Sequence, residues 1–184
     1  GFMFKIVASP FKALGSLLGA DPKDLEEITF NYGDTTLLAK QTRSFDLLLD
    51  LEKKKPELQT ELHYLNDKKL ERTDAAQELS YWFNNQKYGE KPNPNSKKYL
   101  QFLKEETGKD SLVIQDYELL IAPSAMVDSV IQQREEIRLD LTRKYLAAKN
   151  DSTAIHIFDY NREEVLNIGS RPRFEVRYIL KEDF

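Results

Sequence analysis

Two histidines, several adjacent carboxylate pairs and many Lys/Glu neighbours are the side chains through which this sequence could do chemistry. Paired imidazoles can hold a divalent metal, but His63 and His156 fall on different predicted strands and neither has a third ligand at a recognisable spacing. Glu26-Glu27, Glu105-Glu106 and Glu135-Glu136 have the composition of a glycosidase acid/base pair. Their positions on helix faces or ends fit solvated surface with local lysine pairing better. With no cysteine, the chain has no disulfide, thiolate metal site or cysteine nucleophile. The seven glycines are scattered and build no GxGxxG or GxxxxGK phosphate loop, and no serine sits in a GxSxG elbow. These residues predict a non-catalytic protein without cofactor or metal. The charge balance, 27 basic against 31 acidic side chains for a net −4, gives no cationic field for a phosphate backbone and excludes nucleic acid as the expected partner.

Periodicity marks the strands and helices that carry these groups. The 184 residues, 40% apolar with ten Phe, nine Tyr and one Trp, suffice for one large domain. No run reaches the roughly 18 apolar residues that span a bilayer. Residues 2–20 are apolar and Gly-punctuated, and the spacing of Phe11, Leu14, Leu17 and Leu18 predicts a short amphipathic helix after Pro10. Asp21-Pro22 is a helix-start signal whose run ends quickly. Alternation predicts strands at Ile28–Tyr32, Leu58–Tyr64, Ile155–Phe158 and Arg173–Lys181. The last places Phe174, Val176, Tyr178 and Leu180 inside and Arg173, Glu175 and Arg177 in water, as in an antiparallel edge pair.

Helical spacing predicts helices over 37–55, stopped by Pro56, over 70–86 with Leu79, Trp82 and Phe83 inward, and over 125–149. In the longest of these, Val127, Val130, Ile137, Leu141, Tyr145 and Leu146 lie near one face. The polar stretch KYGEKPNPNSKK opens an insertion at about 87–123, with a short helix at Lys97–Glu106 and apolar runs at Leu112–Ile114 and Leu119–Ile121 beside Lys109-Asp110. The result is an α+β fold of order β-α-β-α-(insert)-α-β-β: a four-stranded mixed sheet with helices on one face, residues 26–184, preceded by a helical lead-in or linker at 1–25.

Two stretches carry a resemblance. SPFKALGSLLGADPKDLEEITFNYGDTTL resembles the segment that opens the C-terminal domain of AsmA-like envelope proteins, and TRKYLAAKNDSTAIHIFDYN with RPRFEVRYIL is similar to their last helix and final strands. The resemblance implies an OmpA-like domain in the periplasm, part of a protein anchored in the membrane upstream and concerned with outer-membrane integrity or lipid transport. The opening Gly-Phe-Met accords with natural sequence upstream, where an export signal or anchor would lie. The implied partner is an envelope protein or peptidoglycan.

OmpA-like domains hold the peptidoglycan stem peptide with an aspartate after the second strand and an arginine on the following long helix. Here Asp67 and Arg138 occupy those places, with Arg134 one turn earlier as the other candidate. An arginine fork clamps a carboxylate and an aspartate receives an ammonium. Asn66-Asp67-Lys68-Lys69 departs from the family's TDxxG, and Arg134-Glu135 with Leu139 departs from LSxxRA. Asp67 could instead cap the helix starting at Lys68, and Arg138 could pair with Glu135 or Asp140.

Overall fold

The computed structural model describes residues 2–6, 10–159 and 168–183. The chain divides into two compact units, residues 1–67 with 136–184 and residues 68–135. The first is a sheet with its helices, an α+β arrangement; the second is helical.

In the sheet unit the strands are β1 (Phe2–Ile6), β2 (Glu27–Thr29), β3 (Leu58–Leu65), β4 (His156–Asp159) and β5 (Arg173–Asp183). The path runs β1-β5-β3-β4, and β2 also pairs with β5. Only β3 and β4 run parallel; β5 is antiparallel to β1, β2 and β3. All four expected strands form and join one mixed sheet. Two points differ from expectation. β5 is interior rather than an edge, because Arg173–Glu175 face β2 and Ile179–Asp183 face β1 on one side while β3 takes the other. Wet-face alternation is the same for both kinds of strand, so it carried no edge signal. The 1–25 lead-in is also part of this unit: β1 is in the sheet, and Leu14 and Leu25 are in its core.

The helices are α1 (Phe11–Leu18), α2 (Ala39–Lys54) and, from the other end of the chain, the second half of α6 (Ser124–Lys149). α1 ends at Gly19, whose φ of 63° is left-handed and cheap only for glycine. A 3-10 turn at Pro22–Leu25 follows, with the Asp21 carboxylate accepting the Lys23 N–H at 3.0 Å. At the start of α2, Gln41 Oε1 accepts the Leu38 N–H (2.7 Å) and its Nε2 donates to the Thr29 carbonyl (2.9 Å), fixing the helix to β2. Phe45, Leu48 and Leu49 of α2 and Leu139 and Leu146 of α6 pack with Leu62, Tyr64, Phe174, Val176 and Tyr178 of the sheet. Helices therefore cover this face, as the pattern predicts. Phe174 lies at the centre, its ring edge-on to Phe30, Phe45 and Tyr64. Glu52 ties the approach to β4 by accepting from Asn150, Thr153 and the Ala154 N–H at 2.9–3.0 Å.

The helical unit holds α3 (Lys68–Tyr88), α4 (Lys97–Thr107), α5 (Ile114–Ile121) and the first half of α6. It is wider than the insertion expected at 87–123, because α3 and the start of α6 belong to it. Ala75, Ala76, Leu79, Ala122, Val127 and Ile131 form one cluster, and Tyr99, Phe102, Leu103 and Tyr117 another. Trp82, expected inside, is 50% exposed. The buried stripe of α3 runs through Ala75, Ala76 and Leu79, and Trp82 stands to one side of it.

Candidate functional site

β3 delivers its last residues, Tyr64 and Leu65, to the end of the sheet where Asn66 and Asp67 follow. Asp67 is 7% exposed, and its Oδ2 accepts the Gly169 backbone N–H at 2.8 Å. Arg138 is 2% exposed, and its Nη1 donates to the Tyr64 hydroxyl at 3.0 Å. The fold thus brings both expected residues to the C-terminal end of β3. Asp140, considered above as the partner of Arg138, pairs with Lys144 at 2.8 Å instead. On the 136–149 stretch the buried side chains are Arg138, Leu139, Thr142 and Leu146, while Ile137 and Leu141, expected inside, are only half-buried. An arginine at the centre of a helix's buried face has no signature in hydrophobic periodicity, which reads apolar positions alone. Residues 160–167, which include most of the connection expected at Arg162–Ser170, lie outside the described residues.

Arg134 belongs to the helical unit. It is 8% exposed, and its guanidinium is held by three carboxylates of α3: Glu71 at 3.4 Å, Asp74 at 2.8 Å and Glu78 at 3.0 Å. Glu71 is fully buried; Asp74 and Glu78 reach solvent. Beside this cluster opens a cleft of about 330 Å³ lined by Asp74, Gln77, Glu78, Tyr81, Trp82, Asn85, Lys91 and Arg134. Below it the Tyr99 hydroxyl donates to the buried Glu118 carboxylate at 2.6 Å and lies 2.9 Å from the Ser80 hydroxyl. Burial raises the Glu118 carboxyl above its ordinary value, against hydrogen bonds from Tyr99 and Gln77 that favour the anion. Burial also raises the Tyr81 phenol, and the Glu118 and Asp74 charges add to that. Sequence reasoning missed these partners. The Asp74/Glu78 pair at i,i+4 on a predicted helix was visible; the α6 arginine reaching it was not.

The two histidines lie on adjacent strands and touch one ring, Phe158, which stacks on His63 (4.7 Å between centroids) and tilts against His156 (4.6 Å). His63 is buried, with Nε2 3.0 Å from Glu61 Oε1. Among the described residues no group of three or more His, Cys, Asp or Glu side chains could hold a metal ion, and no helix is long and apolar enough to cross a membrane. No known protein family, curated protein or solved structure matches the chain.

Proposed function

We propose that this chain is a non-catalytic docking or structural domain of a bacterial cell-envelope protein, working in the periplasm as part of a membrane-anchored chain. The AsmA-like terminal segments motivate the setting; the observation that carries the docking role is in the helical unit. Val113 and Leu120 are 65% and 58% exposed, and Leu119 is exposed beside them. Three large aliphatic side chains left in water on one short helix and its N-cap are the kind of surface that a protein partner covers. Lys109 and Asp110, close by in sequence, would supply the polar rim.

A second reading is peptidoglycan binding through Asp67 and Arg138, favoured by the place of Asp67 just after β3 and the bond of Arg138 to Tyr64 near the end of that strand. Against it, both side chains are more than nine-tenths buried, and Asp67 already accepts a backbone N–H. A stem peptide needs those charges facing a groove.

Sedimentation with purified peptidoglycan separates the readings. The docking role predicts no retention above a non-binding control protein. Retention that disappears in both Asp67→Ala and Arg138→Ala would replace it with the murein role. In cells, a photo-crosslinker at Leu120 is expected to give a discrete protein adduct, and one at exposed Glu57 is not. Equal labelling from both positions would remove the docking surface.

A further inference from the structure

We infer that the cleft at the start of α4 binds a small carboxylate, either free or at the end of a longer molecule. It shares no lining residue with the docking surface, and its failure would leave that reading untouched. α3 is followed by Gly89, whose φ of 76° turns the chain into the loop that carries Glu90 and Lys91. That loop, the end of α3 and the first turn of α4 form a cleft of about 260 Å³, lined among others by Asn84, Glu90, Lys91, Ser96, Lys98 and Tyr99. Pockets for drug-sized ligands run roughly 300–1,000 Å³, so this one suits a single small group.

The observation that points to a ligand is Asn84. The residue is 3% exposed, lines the cleft, and its side chain makes no hydrogen bond to any described residue. Neither amide atom is sealed within the protein, so the small part of Asn84 that solvent reaches includes its polar end. A buried amide left unmatched is destabilising, and a leucine of similar size would fill the same place without that cost. The groups around it are mostly donors. Ser96 caps α4 by accepting the Tyr99 N–H at 3.1 Å, and the Leu100 N–H reaches the Ser96 carbonyl at 3.2 Å. The Lys97 and Lys98 N–H groups of that first turn have no acceptor among the described residues and carry the positive end of the helix dipole. Glu90 is taken up by Lys98 at 2.9 Å, whereas the Lys91 ammonium has no ion-pair partner among the described residues. Lys91 also borders the neighbouring cleft, but Asp74 and Glu78 there are held by Arg134. An amide, two helix N–H groups and an ammonium thus stand around one small space. A cation would meet them head-on, and a neutral alcohol would answer one or two. A carboxylate only accepts, at about four lone-pair sites. Phosphate would bring a second negative charge beside Glu90.

The side-chain amide resonances of Asn84, followed by NMR on the intact protein at neutral pH and low salt, report on this site. Titration with acetate, the free source, or N-acetyl-trialanine, the chain end, is expected to shift them saturably. The tighter of the two should show a Kd on the order of 10 mM or lower, and which one it is tells the source. Acetamide and N-acetyl-trialanine amide, which lack the charge, should bind at least about tenfold more weakly. Lys91→Gln, in an exposed loop, should weaken carboxylate binding about threefold. Asn84→Leu should weaken it at least about tenfold, read on the Lys98 backbone amide, and leave the thermal midpoint of unfolding unchanged or higher. A lower midpoint would make Asn84 a structural residue and remove the ground for the site. The assignment is also overturned if neither carboxylate shifts the resonances, if the neutral amides bind as well, if phosphate binds more tightly than both carboxylates, or if Lys91→Gln changes nothing.

Discussion

The sheet unit packs one continuous apolar cluster from Leu14 to Tyr178, whereas the helical unit splits its apolar side chains between two small clusters and fills the space around them with ionisable groups. In the first, aromatic rings meet edge-on around Phe174 and polar atoms serve as single ties, as where the Tyr178 hydroxyl donates to the Leu25 carbonyl at 2.7 Å. In the second, a buried arginine with three carboxylates and a buried Ser80–Tyr99–Glu118 chain carry part of the packing. Each unit is therefore vulnerable in its own way. Apolar contacts are indifferent to pH and tolerate no missing volume. Buried ionic contacts fit best with every partner present and respond to protons.

The largest expected effect is in the sheet unit. Phe174→Ala empties the meeting point of three rings and should cost about 3–5 kcal/mol by urea unfolding followed by circular dichroism. A loss below about 1 kcal/mol would mean that the apolar cluster is not what holds that unit. Next, Arg134→Met removes the buried guanidinium that Glu71, Asp74 and Glu78 share and should cost about 3 kcal/mol. Arg134→Lys, which keeps the charge without the fork, should fall between Met and wild type. If Met proves as stable as arginine, the ionic cluster contributes no net stability and the contrast between the units narrows.

The pH responses should have opposite signs. Burial raises the Glu118 carboxyl above its ordinary 4.5, so the folded helical unit keeps a proton that the unfolded chain releases. Stability present below 4.5 is then lost as pH rises through the folded value. Burial lowers the His63 imidazole below 6.5, against the Glu61 hydrogen bond, so the sheet unit is stabilised above 6.5 and loses that stability as pH falls through the folded value. Urea midpoints across pH should show Glu118→Gln flattening the first dependence and His63→Gln the second; variants that run parallel to wild type would refute these origins. The smallest effect is expected at Trp82→Gln, within about 0.5 kcal/mol, since that ring is half in water. A larger loss would mean that the cleft wall is structural.

Except for α5, whose residues were read only as apolar runs, the helices and four of the strands were legible because each has a local period, 3.6 or 2, that runs on for most of its length. β1 was not. FMFKI is too short and too uniformly apolar to alternate, and its strand state depends on pairing with Ile179–Asp183 at the far end of the sequence. Asp67 and Arg138 were legible as positions and not as environments. Resemblance placed them near the second strand and on the long helix, but whether a charge faces a groove or a backbone N–H is decided by residues distant in sequence: Gly169 for one and Tyr64 for the other. Arg134 shows the same limit, since its three carboxylates lie on a helix 56–63 residues earlier.

The antiparallel ladder that places Phe2 opposite Asp183 also fixes how this molecule meets mechanical load. Ladder bonds lie across the strands rather than along them. Tension applied between those two positions would therefore load the β1–β5 bonds one at a time from the open end, as in a zip fastener. Tension between Phe2 and Ile28 would fall on a different geometry, since both strands grip the same side of β5 and pull on it at successive points. A single-molecule pulling measurement should find the first attachment weak and the second strong, so the direction of a tether matters as much as its strength.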